Sequence, residues 1–198
     1  MNDNNREKAL KGLKQYAKFC GKDAISVANF LLNDYRFPYW SGSSLKIQHH
    51  YGKGGLVIHT HETVGLCFNN ATYFPQYDID KTELFLAALF HDAGKLYDYM
   101  PVENAEPYYS VWESTNHKRY IHHISRSALM WSEASKLSNE IWEKYHDKVL
   151  HAILAHHMSR DFGSPVAPKS RVAWLVTLCD NMSARMCDAE SWDIIKKP

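Results

Sequence analysis

The residues best suited to chemistry are histidines and aspartates spread along the whole chain. His91 and Asp92 are adjacent at the end of an apolar stretch, so an imidazole and a carboxylate reach one point. Imidazole is a common metal ligand, and a carboxylate can bridge two ions. His59 precedes this pair, and Asp180 follows it inside an apolar run where an unpaired charge is costly to bury. These residue types predict a metal site assembled from several helices.

The donor set indicates which metals and which reaction to expect. Two imidazoles and two carboxylates suit Mn²⁺, Fe²⁺, Ni²⁺, Zn²⁺ or Mg²⁺. A further set, His123, His156 and His157, could hold a second ion, with Asp92 bridging both ions and a hydroxide held between them for in-line attack on phosphorus. Packing or substrate contact is the alternative role for this second set. No serine or cysteine lies in a recognisable nucleophile motif, so we predict a metal-dependent phosphohydrolase without a covalent intermediate.

Helices must position these ligands, and hydrophobic periodicity predicts helices along most of the chain. Asp23 is expected to cap the second helix, and Asp80 to Glu83 matches a capping box before the helix that ends at the His-Asp pair. An irregular crossover is expected over residues 96–119, which contain two prolines. The helices are expected at about 6–20, 23–31, 56–73, 80–92, 120–137, 139–158 and 170–187.

No β-alternation of useful length and no internal repeat occurs in the sequence. The predicted fold class is therefore all-α, a single helical bundle with irregular connecting loops. We expect one domain over residues 1–198, with a motif-bearing core at about 45–187 and a helical N-terminal extension at 1–44.

Composition limits the class of partner and the compartment. The chain has 198 residues, 45% of them hydrophobic, and a formal net charge of +1, so no global field draws it to nucleic acid or anionic membranes. Its four cysteines form no C-x-x-C pair, which predicts free thiols in a reducing compartment. The N-terminus is polar, and no apolar run approaches the roughly 20 residues that span a bilayer. We expect a cytoplasmic protein without a membrane partner.

The ordered motifs resemble those of the HD superfamily of phosphohydrolases. The first two are His49-His-Tyr-Gly-Lys-Gly-Gly-Leu-Val-Ile-His59 and Leu89-Phe-His-Asp-Ala-Gly-Lys95. The later motifs are similar to the HD domain of YhaM-type 3′-to-5′ exonucleases, and the resemblance spans about residues 45–187. These later motifs are His123-Ile124, Ile153-Leu-Ala-His-His157, Phe162-Gly-Ser-Pro-Val-Ala-Pro168 and Cys179-Asp-Asn-Met182.

The resemblance implies an all-α metal site that hydrolyses phosphoester bonds. Asp92 and Lys95 would be the catalytic residues, with Lys95 near the substrate phosphate or merely completing the helix end. His122 stands where the subfamily usually has glycine, so it could compete with His123 as a ligand. By motif, one ion would be held by His59, His91, Asp92 and Asp180, and the second by Asp92, His123, His156 and His157.

Other residues near the motifs have two plausible roles each. His50, with its neighbour His49, could line the pocket mouth and bind substrate, or pack the glycine-rich turn. Arg160 and Lys169 flank the Gly-Ser-Pro turn and could meet phosphate oxygens, although a solvated loop explains them equally well. His117 is expected at the surface.

The function expected is cleavage of phosphoester bonds in nucleotides or short nucleic acids, of the phosphodiesterase or 3′-to-5′ exonuclease kind. YhaM-type enzymes carry an N-terminal nucleic-acid-binding module of the OB type, whereas about 45 residues that read as helical precede the motifs here. That difference favours small substrates, so a dNTP or NMP phosphohydrolase is the first alternative. A non-catalytic nucleotide-binding module, or a relaxase-like partner in DNA processing, is the second. The sequence leaves a homo-oligomer open.

Overall fold

Amphipathic segments at the start of the chain form two helices that pack together. The computed structural model describes residues 3–46, 49–107 and 109–195, with side chains described to residue 187. Helix α1 covers Asp3–Cys20 and buries Leu13, and helix α2 covers Lys22–Leu32. Gly21 is the N-cap residue of α2, so the expected cap by Asp23 is wrong. Asp23 lies one residue inside the helix, and its carboxylate accepts a hydrogen bond from Ser138 Oγ instead (2.7 Å).

Four helices form the centre of the fold and pack against one another. They are α3, Gly55–Ala71; α4, Lys81–Phe90; α8, Asn139–Ala155; and α9, Arg171–Ile195. Every residue of α4 from Glu83 to Phe90 is buried, which explains its almost unbroken apolar sequence. The predicted N-cap of this helix is confirmed, because Asp80 Oδ1 accepts the amide hydrogens of Thr82 and Glu83 (2.9 and 3.2 Å).

The expected crossover after the His-Asp pair contains regular structure. Helix α5 (Lys95–Asp98) leads into strand β1 (Tyr99–Pro101), which pairs antiparallel with β2 (Trp112–Ser114). Helix α6 (Asn116–Tyr120) then precedes α7 (His123–Ala134), and short 3-10 turns cover Ser135–Leu137 and Arg160–Phe162. Strands of three residues are too short to show alternation, which is why the sequence did not predict them.

The glycine-rich segment before α3 sets where that helix begins. A Cβ on Gly55 would lie 1.7 Å from the carbonyl oxygen of His50, which accepts a hydrogen bond from Gly42 N (2.9 Å). Only glycine permits this close approach of two backbones. The loop therefore packs directly against the first turn of α3, one turn before His59.

The all-α prediction is confirmed, since the described residues are mainly helical and carry only the β1–β2 pair. Most helix ends lie within a few residues of their predicted positions; α9 runs further, to Ile195. The single-domain boundaries stay a prediction. The four cysteines are free thiols, as expected. Within the part of the chain that is described, no helix has the length and apolar character needed to cross a membrane.

Candidate metal centre

The first predicted ligand set converges at the centre of the helices. His59 lies on α3, His91 is the C-cap residue of α4, and Asp180 lies on α9. His59 Nε2 is 3.0 Å from Asp180 Oδ1, 3.3 Å from Asp92 Oδ2 and 3.2 Å from His91 Nε2. Each of the four residues offers one donor atom, and these atoms lie within 4.8 Å of one another. One cation could therefore contact all four residues.

Hydrogen bonds to the far ring nitrogens fix which nitrogen faces this cluster. His91 Nδ1 donates to the carbonyl oxygen of Ala88 (2.7 Å), so in the neutral imidazole the lone pair lies on Nε2, the nitrogen that faces the cluster. Ser183 Oγ donates to the Glu62 carboxylate (2.7 Å), so it accepts from His59 Nδ1 (3.0 Å). Both imidazoles therefore turn Nε2 toward the cluster. A hydrogen-bond partner on the far ring nitrogen usually fixes a metal-bound histidine in this orientation.

The second predicted ligand set lies beside the first. His123 begins α7, and His156 and His157 directly follow α8; their donor atoms lie within 4.8 Å of one another. His156 Nδ1 donates to the carbonyl oxygen of Ile153 (2.6 Å), and His157 Nδ1 to that of Phe162 (2.8 Å). These bonds again leave the Nε2 lone pairs available.

Asp92 connects the two sets because its two oxygens face different histidines. Oδ2 faces His59 and His91, at 3.3 and 3.5 Å from their Nε2 atoms. Oδ1 faces His123 and His156, at 3.4 and 3.6 Å. A carboxylate in this position can contact an ion on each side.

Buried polar atoms without partners indicate that the residues fit divalent cations. Among the described residues, Asp92 Oδ1, His123 Nε2 and His156 Nε2 are buried and have no hydrogen-bond partner. Leaving such atoms unsatisfied costs about 1–3 kcal/mol each, more for a charged group. All three are metal-ligand types and lie on the same side of Asp92, so an ion there would satisfy them together.

Electrostatics also favour cations at the first set. Burial would lower the pKa of His91, but the carboxylates of Asp92 and Asp180 outweigh it and raise that pKa to about 10. Burial would raise the pKa of the Asp92 carboxyl, yet Lys95 and the imidazoles hold it well below its usual range. Lys95 Nζ is 2.7 Å from Asp92 Oδ2 and is itself almost fully buried. The two ionised carboxylates are thus balanced by the Lys95 ammonium and by a proton on His91, and a bound cation would take the place of that proton.

Burial keeps His123 and His157 of the second set neutral. Desolvation lowers the pKa of His123 to about 4 and that of His157 to about 3. Neutral imidazole is the form that binds metal. The two sets therefore differ: the first contains both carboxylates and the second mainly imidazoles, with Asp92 shared.

The turn after Asp92 is packed against the start of α7. Gly94 N donates to Ser127 Oγ (2.9 Å), and a Cβ on Gly94 would lie 2.2 Å from the His123 carbonyl oxygen. Only glycine allows this approach, and it sets the distance between Asp92 and His123.

The structure separates His122 from His123. His123 belongs to the set with His156 and His157, whereas among the described residues His122 groups with Asp98 and His123. His122 has φ 68° and ψ 149°, a conformation that L side chains rarely adopt. The backbone at this position therefore favours glycine. This geometry supports His123 as the ligand.

A cavity of about 280 Å³ opens onto both sets. Lys95 lines it, and its predicted contact with substrate stays a prediction. His50 does not line the cavity: it is buried behind His59, where its Nε2 bonds Glu62 Oε2 (2.9 Å), whereas its neighbour His49 does. The lining residues are His49, Lys95, His157, Met158, Phe162, Asp180, Asn181, Ala184 and Arg185.

Arg160 and Lys169 lie away from the cavity, at positions that agree with the solvated-loop alternative. Both line a separate surface cleft that shares no lining residue with the cavity at Asp180. The Gly-Ser-Pro turn between them directs both side chains to solvent, and both residues are exposed. A contact with the substrate phosphate at the metal centre is not supported by these positions.

Several residues that orient the ligands were not predicted from the sequence. Ser183 and Glu62 hold His59, and Asp98 bonds both the ring and the backbone of His123. His117, expected at the surface, is half-buried and bonds Asp98 Oδ1 (2.7 Å). One-turn spacings link Glu62 to His59 on α3 and Ser183 to Asp180 on α9, but no comparable signal in the sequence marks Asp98 and His117.

Comparison with known proteins agrees with the site. The HD domain family matches residues 56–185, more than half of the chain, so the protein belongs to this family of metal-dependent hydrolases. The chain is 26% identical over 163 residues to the 3′-5′ exoribonuclease YhaM of Bacillus subtilis (strain 168), a match that covers 81% of this chain and 48% of that protein. The chain thus spans about half the length of this curated relative. No solved structure matches the chain significantly.

Proposed function

We propose that the protein hydrolyses phosphoester bonds of nucleotides or short single-stranded nucleic acids, as a phosphodiesterase of the 3′-to-5′ exonuclease kind. Two divalent ions would be held at the HD site, one by each ligand set. The similarity to a 3′-5′ exoribonuclease supports nucleic acid as the substrate class. Because that similarity covers 48% of the relative, the argument rests mainly on the site itself.

The observation that carries the proposal is the position of Asp92 between two sets of imidazoles. Its oxygens lie 3.3 and 3.4 Å from His59 Nε2 and His123 Nε2, on opposite sides. Divalent ions at such a pair of sites polarise a phosphoryl oxygen and lower the pKa of water toward neutrality. This arrangement suits in-line displacement at phosphorus and needs no nucleophilic side chain.

Lys95 is the residue best placed to act on the substrate directly. Its ammonium group borders the cavity and is held 2.7 Å from Asp92 Oδ2. Burial would lower the pKa of Lys95, but the Asp92 carboxylate raises it, so the side chain stays charged. A fixed positive charge in a partly dry site stabilises the negative charge that develops on a transferring phosphoryl group.

The rest of the cavity supports a nucleotide as the unit that enters. Phe162 is 69% exposed at its edge, where an aromatic face can stack on a base without sequence preference. Arg185 also lines the cavity, and a guanidinium group is well suited to phosphate oxygens. A volume of about 280 Å³ fits one nucleotide better than a paired duplex.

The same cavity supports a second candidate, a mononucleotide phosphohydrolase. Its small volume would accept a dNTP or NMP, and the net charge of +1 gives no general attraction to a long strand. The two candidates differ in product. An exonuclease shortens an end-labelled strand by one nucleotide at a time, whereas a phosphohydrolase releases phosphate, pyrophosphate or triphosphate from a mononucleotide.

One substrate panel tests the proposal. Protein loaded with Mn²⁺ is incubated with nucleoside triphosphates and monophosphates, cyclic nucleotides, dinucleotides and end-labelled single strands. We expect 3′-to-5′ shortening of the strand, lost in Asp92→Ala and kept in Asp147→Ala, which removes a solvent-exposed carboxylate from α8. Turnover of mononucleotides alone would select the second candidate. Metal binding without turnover of any substrate would reject both in favour of a binding module.

A further inference from the structure

A buried carboxylate outside both ligand sets, Asp98, lies between α6 and the start of α7. Asp98 is the last residue of α5 and is fully buried. Its Oδ2 accepts from the backbone N of His123 (3.0 Å) and from the ring Nδ1 of the same residue (3.2 Å). Its Oδ1 accepts from His117 Nδ1 (2.7 Å). Three donors therefore satisfy this charge without a metal ion.

Proton positions in this network follow from Arg126. Arg126 Nε donates to His117 Nε2 (3.0 Å), and a guanidinium group has no acceptor. His117 therefore carries its proton on Nδ1 and donates it to Asp98. The other oxygen of Asp98, Oδ2, accepts the hydrogen bond from His123 Nδ1. The lone pair of His123 therefore lies on Nε2 and is directed at Asp92 Oδ1, 3.4 Å away.

Asp98 also caps the N-terminus of helix α7. The N-cap residue of α7, His122, makes no hydrogen bond from its side chain to the helix. Asp98 accepts the first amide hydrogen of α7 and adds negative charge at the positive end of the helix dipole. The same carboxylate thus fixes the helix start and the ring that projects from it.

We propose that Asp98 is the positioning residue of the second metal site. Through His123 it sets the tautomer and the ring orientation of that ligand, and hence the affinity for the second ion, without contacting the ion. This inference rests on the two-ion site proposed above. Asp98, His122 and His123 also lie close enough to form a ligand set of their own, and direct coordination by Asp98 is therefore the competing interpretation.

Asp98→Asn tests the inference because an NH₂ donor would replace the oxygen that accepts the hydrogen bond from His117 Nδ1. If the amide oxygen keeps the bonds to His123, its NH₂ group faces His117 Nδ1 as a second donor. His117 cannot move its proton to Nε2 while Arg126 donates there. The variant Asp98→Asn/Arg126→Met removes that block and preserves apolar contact with Tyr97, over which the guanidinium lies (4.5 Å).

Calorimetric titration with Mn²⁺ and electron paramagnetic resonance of the coupled ion pair provide the measurement. We expect Asp98→Asn to bind the first ion as wild type does and the second 10–100-fold more weakly. The double variant should recover most of that loss, and added Mn²⁺ should restore the coupled signal in both. Direct coordination predicts no recovery in the double variant, which would overturn the inference.

Other outcomes are equally decisive. Unchanged affinity for both ions in Asp98→Asn, or an equal loss of both, would overturn the proposal. If that variant fails to fold, His117→Phe removes one donor and leaves both bonds to His123; second-ion affinity falling about tenfold supports the inference, and no change rejects it. If the wild-type protein binds a single ion, both the proposed two-ion site and this inference are wrong. If the protein binds two ions but hydrolyses no phosphoester, the proposed reaction is wrong and the inference about Asp98 is unaffected.

Discussion

Replacing Gly94 with alanine should separate the two halves of the metal centre. The added Cβ would lie 2.2 Å from the His123 carbonyl oxygen and 2.8 Å from Ser127 N, and both are backbone atoms of α7. Ordinary contacts begin near 3.4 Å, so the turn and the helix must move apart by about 1.2 Å. That shift would carry His123 away from Asp92 Oδ1. Metal–nitrogen bonds of about 2 Å do not tolerate such a displacement.

The cost follows from overpacking of a buried contact. Such substitutions destabilise by about 1–3 kcal/mol, which lowers the melting temperature by roughly 2–4 °C per kcal/mol in a chain of this size. We expect a melting temperature lower by about 4–8 °C for a 2 kcal/mol loss, and phosphodiester hydrolysis reduced at least tenfold. Differential scanning calorimetry and the initial hydrolysis rate at saturating Mn²⁺ provide the two values.

Gly65→Ala is the matched control on α3. Its Cβ would meet only Tyr16 Oη at 3.7 Å, an ordinary contact, and alanine favours a helix interior by about 0.5–1 kcal/mol over glycine. This variant should melt at the same or a higher temperature and remain fully active. If Gly94→Ala were as stable and active as Gly65→Ala, the coupling between the turn and α7 would be refuted.

Two further predictions concern residues outside the ligand sets. Asp80→Ala removes the N-cap of α4 and should lower the free energy of unfolding by about 1 kcal/mol at neutral pH. Burial alone would raise the pKa of Asp80, but hydrogen bonds from the Glu83 and Thr82 amides and from Tyr145 outweigh it and hold that pKa below its usual value. The stabilisation by Asp80 is therefore present above about pH 4 and is lost as pH falls through the folded pKa. Urea unfolding at pH 7 and pH 3 should show the gap between wild type and variant shrinking, and a constant gap would contradict the argument. Cys179→Ala should keep its metal and its activity, with ¹⁸O from water appearing in the phosphoryl product after a single turnover. Loss of activity in a folded, metal-loaded variant, or a trapped phosphoryl-enzyme, would contradict direct attack by water.

The candidate ligands could be located from the sequence because each lies in or beside a regular helix, although their binding of metal stays a prediction. His59 follows the start of α3, His91 ends α4, and Asp180 is a charge inside an apolar helical segment. Helical periodicity locates such residues along the chain, and the chemistry of their side chains restricts what they can bind. The all-α fold followed from the same periodicity.

The residues that orient the ligands could not be predicted in this way. Asp98 and His117 lie in short elements between α4 and α7, where no period is long enough to indicate which side chains face inward. Ser183 contacts His59 only because α9 packs against α3. Tertiary packing of this kind leaves no mark in local sequence, and the position of His50 behind His59 was missed for the same reason.

The most direct test of the account is the number and position of metal ions in crystals grown with Mn²⁺. Anomalous scattering should locate two ions about 3.5–4 Å apart, with Asp92 bound to both. His59, His91 and Asp180 should complete the first coordination shell, and His123, His156 and His157 the second. A single ion at the first set in saturating Mn²⁺, with His123 and His156 left uncoordinated, would contradict the central claim that Asp92 joins two metal sites.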